Sequence, residues 1–169
     1  GETELDEFLD AINALWAEYA ASPVNTLPAG DLIERVWDSR DTERLPYQRG
    51  TLLAFHWDTL ARAEGRRLDD AITSLLDEGR AARARGDTPV LTDAAIHAAL
   101  ETAIGPRFRS DFIAHIEAGA RLRLEDLAFP DCLTVTAPAD GAARLALTPG
   151  ADPAACRATI AGAFASPTP

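Results

Sequence analysis

Methionine is absent from the chain, and so is lysine: all sixteen basic residues are arginine, set against twenty-seven acids for a net charge of −11. That sign argues against nucleic acid as a partner, because a phosphate backbone is met by a basic face. A chain that opens on Gly1 without any Met lacks a natural start and is expected to be a fragment or a processed product. Long apolar runs are missing too. None approaches the roughly 18 residues of a membrane span, and neither a signal peptide nor a basic amphipathic anchor is visible. Cysteine is reduced to Cys132 and Cys156, with no second Cys or His at metal-binding spacing, which excludes a zinc site built on them. The two either pair, closing a loop worth about 3 kcal/mol in the chain-entropy model, or are small buried thiols. Also absent are a glycine-rich phosphate loop, a nucleophile elbow, a His-Glu-x-x-His run and a paired-cysteine motif.

What is present is enough for a soluble globular protein. The 169 residues are 47% apolar and 25% charged, which fits one domain with a core of its own, or one domain and a small appendage. Leu5, Phe8, Leu9, Ile12, Leu15, Trp16 and Tyr19 recur at three- and four-residue steps, predicting a helix with Thr3 as its N-cap and Ser22-Pro23 as its stop. Asp31 is read as the cap of a short second helix carrying Leu32, Ile33, Val36 and Trp37. Asp38 to Pro46 reads as loop. A third helix then runs from about Tyr47 to Glu64, with Leu52, Leu53, His56, Leu60 and Ala63 on its stripe and Gly65 closing it.

A fourth helix, about Leu68 to Arg83, is expected to bury Leu68, Ile72, Leu75 and Leu76. Arg80, Arg83 and Arg85 near its end suit the negative helix terminus. Thr92 caps a fifth helix with Ile96, Leu100 and Ile104 inward, and Ser110 or Asp111 starts a sixth with Phe112, Ile113 and Ile116 inward, ended by Gly119. After Gly119 the texture changes. Leu133 to Thr136 and Ala143 to Leu147 alternate like short strands around a Pro138–Gly141 turn signal, and Asp152-Pro153 opens a last short helix. The expected architecture is therefore mainly α: a bundle of about six helices over residues 1–120, and a small tail over 121–169 with a two-stranded hairpin or irregular structure.

Groups that could carry chemistry are few. His97 and Glu101 sit four apart on one helix, as two metal ligands or as an ordinary surface pair, and no further ligand accompanies them. His56 lies within an apolar stripe, as a hydrogen-bonded core or edge histidine would. Asp69-Asp70 and Asp77-Glu78 are adjacent in sequence, so on a helix they diverge by about 100° and read as solvated charge. The stretch Arg44-Leu45-Pro46-Tyr47-Gln48-Arg49-Gly50 stands out. Its Tyr lies just inside a helix start behind a Pro, and its Gly lets another segment or ligand come close.

The run Leu45-Pro46-Tyr47-Gln48-Arg49-Gly50 with Leu52-Leu53-Ala54 resembles the Tyr-x-Arg/Lys-Gly segment of zinc aminopeptidases with a thermolysin-like catalytic domain. Tyr19, Ser22-Pro23 and Trp37 before it, His56-Trp57-Asp58 and Gly65-Arg66-Arg67-Leu68-Asp69-Asp70 after it, and Leu91-Thr92-Asp93 narrow the likeness to the glycyl aminopeptidase family, over about residues 5 to 130. The resemblance implies the C-terminal half of a gluzincin catalytic domain, in which Tyr47 offers its hydroxyl to the oxyanion at the scissile carbonyl. Arg49 and Gly50 belong to the motif in structural roles. The family's zinc ligands and its general-base Glu lie upstream of that Tyr, so Zn2+ is expected in a full-length parent and no metal or cofactor in this chain. The family's later PDZ module is not evident.

The implied partners are the missing N-terminal half of the catalytic domain and, in the parent, a peptide substrate with a small N-terminal residue. An apolar face left open by that missing half would favour self-association. The alternative from another class is a non-catalytic helical interaction module. The cysteines and the resemblance together point to a periplasmic or extracytoplasmic location.

Overall fold

The structure is a computed structural model that describes residues 2–137 and 143–161, apart from the side chains of residues 2 and 3. Within those residues seven α-helices run in chain order: α1 (Glu2–Ala21), α2 (Ala29–Arg35), α3 (Arg40–Ala63), α4 (Leu68–Ala84), α5 (Asp93–Ile104), α6 (Arg107–Asp111) and α7 (Pro153–Ala161). A π-helical turn (Phe112–Glu117) continues α6, and a single 3-10 turn spans Leu124–Asp126. Strands β1 (Leu133–Thr136) and β2 (Arg144–Leu147) form one antiparallel pair with Val135 opposite Leu145. The mainly α bundle with a small β element is as the residue pattern predicts. The expected turn at Pro138–Gly141 and the end beyond Ala161 lie outside the described residues.

Several boundaries depart from the expectation, each for an identifiable reason. α1 already includes Glu2, so Thr3 is not its cap. α2 starts at Ala29 behind Pro28, leaving Asp31 inside its first turn rather than at its cap; of the apolar residues read there Leu32 is buried and Val36 half-buried, while Ile33 and Trp37 face solvent. α3 starts seven residues before Tyr47. Ser39 forms a capping box with Thr42, each side chain bonding the other's backbone N–H, a device worth about 1 kcal/mol. Pro46 therefore sits inside the helix, where it removes one backbone bond. Buried Leu45, Gln48 and Arg49 hold the segment helical around it.

α4 is rotated from its expected face. Ala71 is buried and Leu75 half-buried, whereas Ile72 and Leu76 are exposed. Small residues on α4 and α5 (Ala71, Ala95, Ala99, Ala103) line the seam between these two helices. The sixth helix begins at Arg107, earlier than Ser110, and its π-helical continuation leaves Ile113 exposed.

Two apolar clusters organise the interior. The larger joins Trp16, Tyr19, Leu45, Leu52, Leu53, Trp57, Ile104, Phe108, Leu122 and Leu124. Each such side chain contributes about 1.5–3 kcal/mol on full burial. The smaller joins the first half of α1 (Leu5, Leu9, Ile12) to the tail (Leu133, Leu145, Cys156, Ile160). The tail is thus packed on α1, and a disulfide between Cys132 and Cys156 ties β1's approach to α7. Asn13 adds a polar clamp: its side-chain amide donates to the Leu145 carbonyl at 2.9 Å and accepts from the Leu145 N–H at 2.8 Å.

Candidate functional site

On an α-helix, residues two apart point about 200° from one another, and residues three apart only about 60°. Tyr47 and Arg49 must therefore face opposite ways on α3, while Gly50 shares Tyr47's side. The structure has that division. Tyr47 is 77% exposed and Arg49 only 2%. An added Cβ on Gly50 would meet nothing within 4 Å. Arg49 is held by backbone carbonyls, donating from Nη1 to Leu27 and from Nη2 to Asn25, both at 3.0 Å.

Those carbonyls belong to a segment fixed from three sides. Asn25 donates its side-chain amide to the carbonyls of Tyr19 and Ala20. The Tyr19 hydroxyl donates to the Asn25 carbonyl at 3.2 Å and accepts from the Leu122 N–H at 2.9 Å. Gly119, at φ 68°, lies so close to the same segment that a Cβ there would stand 2.4 Å from the Thr26 carbonyl oxygen. The rotation of α3 about its axis is set by this knot, and with it the direction in which Tyr47 projects.

Beyond Tyr47 on the same face come Thr51 and Ala54. There a cavity of about 310 Å³ opens, lined mostly by apolar groups of Phe8, Ile12, Thr51, Ala54, Phe55 and Leu68. Tyr47, the bare Gly50 and this cavity make a continuous strip of the surface of α3. Gly50→Ala is expected to stabilise the chain by about 0.8–1.0 kcal/mol, since a mid-helix Gly costs that much relative to Ala and the new methyl has room. A raised urea midpoint at unchanged m-value is the check.

On the side of α3 opposite Tyr47 lies His56, which together with Trp57 on the flank of the helix enters a buried polar cluster. His56 Nε2 lies 3.1 Å from Asp111 Oδ2, and Trp57 Nε1 donates to the same oxygen at 3.3 Å. Arg107 Nε donates to Asp111 Oδ1 at 2.8 Å, and the Ala128 N–H donates to His56 Nδ1 at 2.7 Å. This is the hydrogen-bonded core histidine that its apolar stripe suggests. It holds no open position for a reacting group.

His97 and Glu101 do fall on one side of α5. His97 packs edge-on against Phe112, with ring centroids 4.3 Å apart, and Glu101 stands 3.8 Å from Arg109. His115 Nδ1 lies 3.0 Å from the Ala120 carbonyl oxygen. Among the described residues no group of three or more His, Cys, Asp or Glu could hold a metal ion. No described helix is long and apolar enough to cross a membrane.

Asp111, Arg107, Asn25 and Asn13 carry the polar framework, and the residue pattern singled out none of them as such. Asn13 and Asp111 find partners 132 and 55 residues away, which no local periodicity marks, whereas Arg107 and the Asn25 side chain bond within six residues. The arrangement defines a helical bundle that displays one phenol on a rigidly anchored helix. No family model matches the chain, and no curated protein matches it.

Proposed function

We propose that this chain is the C-terminal helical portion of a glycyl-aminopeptidase-like zinc metallopeptidase, contributing one wall of a peptide-hydrolysis site. The observation that carries the reading is the split of the Tyr47-Gln48-Arg49-Gly50 run into a buried anchor and an exposed display. Arg49 fixes the helix while Tyr47 and Gly50 face outward, as an oxyanion donor and a point of close approach would. A phenol suits that task because it is a neutral donor whose hydrogen bond strengthens as the carbonyl oxygen gains charge. The zinc ligands and the general base belong to a preceding half of the catalytic domain, which would cover the strip from Tyr47 to the cavity at Ala54. Alone, the chain hydrolyses nothing. Its disulfide favours an oxidising compartment such as the periplasm.

The test is the reading frame ahead of the Gly1 codon, followed by assay of the full-length product. The expected result is an in-frame His-Glu-x-x-His with a further Glu, and release of small N-terminal residues that chelation abolishes and Zn2+ restores. An upstream frame without those ligands overturns the reading and leaves a helical interaction module. Its exposed apolar side chains, such as Ile72 and Leu76 on α4, would then be the surface to probe.

A further inference from the structure

We propose that His56 is an acid-operated latch: a second proton on its ring releases the segment 127–130 from α3 and loosens the joint that this segment makes between the two apolar clusters. A neutral imidazole offers one donor and one acceptor. Here the Ala128 N–H points at Nδ1, which must therefore accept, so the proton sits on Nε2 and is donated to Asp111 Oδ2. Both ring nitrogens are engaged, and the residue is only 3% exposed. An incoming proton has one place to go, Nδ1, where it would set one N–H against another. The Ala128 bond cannot survive that change.

The consequence reaches further than one hydrogen bond because of what Ala128 sits between. Leu127 packs against the larger cluster, and Phe129 packs against both. Phe129 also lies 5.6 Å, ring to ring, from Phe55 on α3. The segment is the joint through which the helical body leads into β1. Letting go of Ala128 loosens that joint while α3 and α6 stay tied through Asp111.

The charged groups facing the ring set where this happens. Burial lowers the proton affinity of His56, Asp111 raises it, and the positive charges of Arg107 and His115 lower it again. Segment 127–130 brings only the Ala128 N–H to the ring, with no charge of its own. With the folded value below the ordinary 6.5, the unfolded or released form takes up the proton first. The stabilisation is complete above about pH 6.5 and is lost as pH falls toward the folded value.

The experiment is a joint titration of the full chain from about pH 8 to about pH 5. NMR reads the His56 ring, and hydrogen exchange corrected for intrinsic rates reads the amides. The expected result is that the Ala128 protection factor falls by up to about tenfold per pH unit as pH drops from about 6.5 toward the His56 midpoint and levels off below it, while core amides of α1 and α3 hold theirs. In His56→Gln, whose side chain can still donate and accept but takes up no proton in this range, Ala128 protection is expected to stay flat. A ring that stays neutral to about pH 5 overturns the proposal. So does protonation without loss at Ala128, or simultaneous loss in every helix, all of which the wild-type protein alone can report.

Discussion

Gly119→Ala is expected to be the most damaging single-methyl change in the described chain. The residue has φ 68°, a left-handed conformation that costs an L-residue about 1–2 kcal/mol. Its new Cβ would also stand 2.4 Å from the Thr26 carbonyl oxygen, 2.7 Å from the Pro28 nitrogen and 2.9 Å from the Leu27 carbonyl carbon. These are backbone atoms, which cannot rotate aside as a side chain can. Overpacking of that kind adds about 1–3 kcal/mol, for a total of roughly 2–5 kcal/mol. The segment pushed away is the one that accepts both hydrogen bonds from Arg49, so the guanidinium would be left buried with weaker partners. Urea denaturation at neutral pH checks the magnitude. A loss under about 1 kcal/mol would mean that the 26–28 backbone yields easily, and that it does not set the rotation of α3.

Tyr47→Phe is expected to have the opposite profile. In this chain the hydroxyl is on an exposed side chain with no hydrogen-bond partner among the described residues, so stability should change by less than about 0.5 kcal/mol. In the full-length parent, on the function proposed above, kcat should fall by about 100- to 1,000-fold, the usual cost of removing one oxyanion donor. KM should move little, because the interaction is made in the transition state rather than with bound substrate. Steady-state kinetics on a short peptide with an N-terminal Gly or Ala separates the two parameters. An unchanged kcat would make Tyr47 an ordinary surface residue.

The strands and most helices were legible because their signals are local. Leu133 to Thr136 alternates, Thr92 caps α5 by accepting from the Ala95 N–H, and Gly65 and Gly119 take positive φ just past helix ends. The start of α3 was not legible, because Pro46 reads as a boundary while the Ser39–Thr42 box that starts the helix earlier holds only small polar residues. The facing of α4 was obscured for a related reason: apolar counting favours Ile72 and Leu76, yet close helix packing selects alanines. At the candidate site, the Tyr-x-Arg-Gly spacing was visible, and helical geometry alone sends Tyr47 and Arg49 to opposite faces. What holds Arg49 was not visible. Gly119 comes to the Tyr19–Asn25 segment from far along the chain, as Asp111 comes to His56 from 55 residues away.

A two-stranded ribbon ordinarily has two open margins, each able to recruit a strand from another molecule and so to seed aggregation. The Asn13 carboxamide changes that balance for β2. By answering both the N–H and the carbonyl of Leu145, a helix side chain impersonates the next strand's peptide group. The margin is blocked at Leu145 without the cost of a third strand, and a single amide takes one outward-facing peptide pair out of reach of cross-molecular pairing.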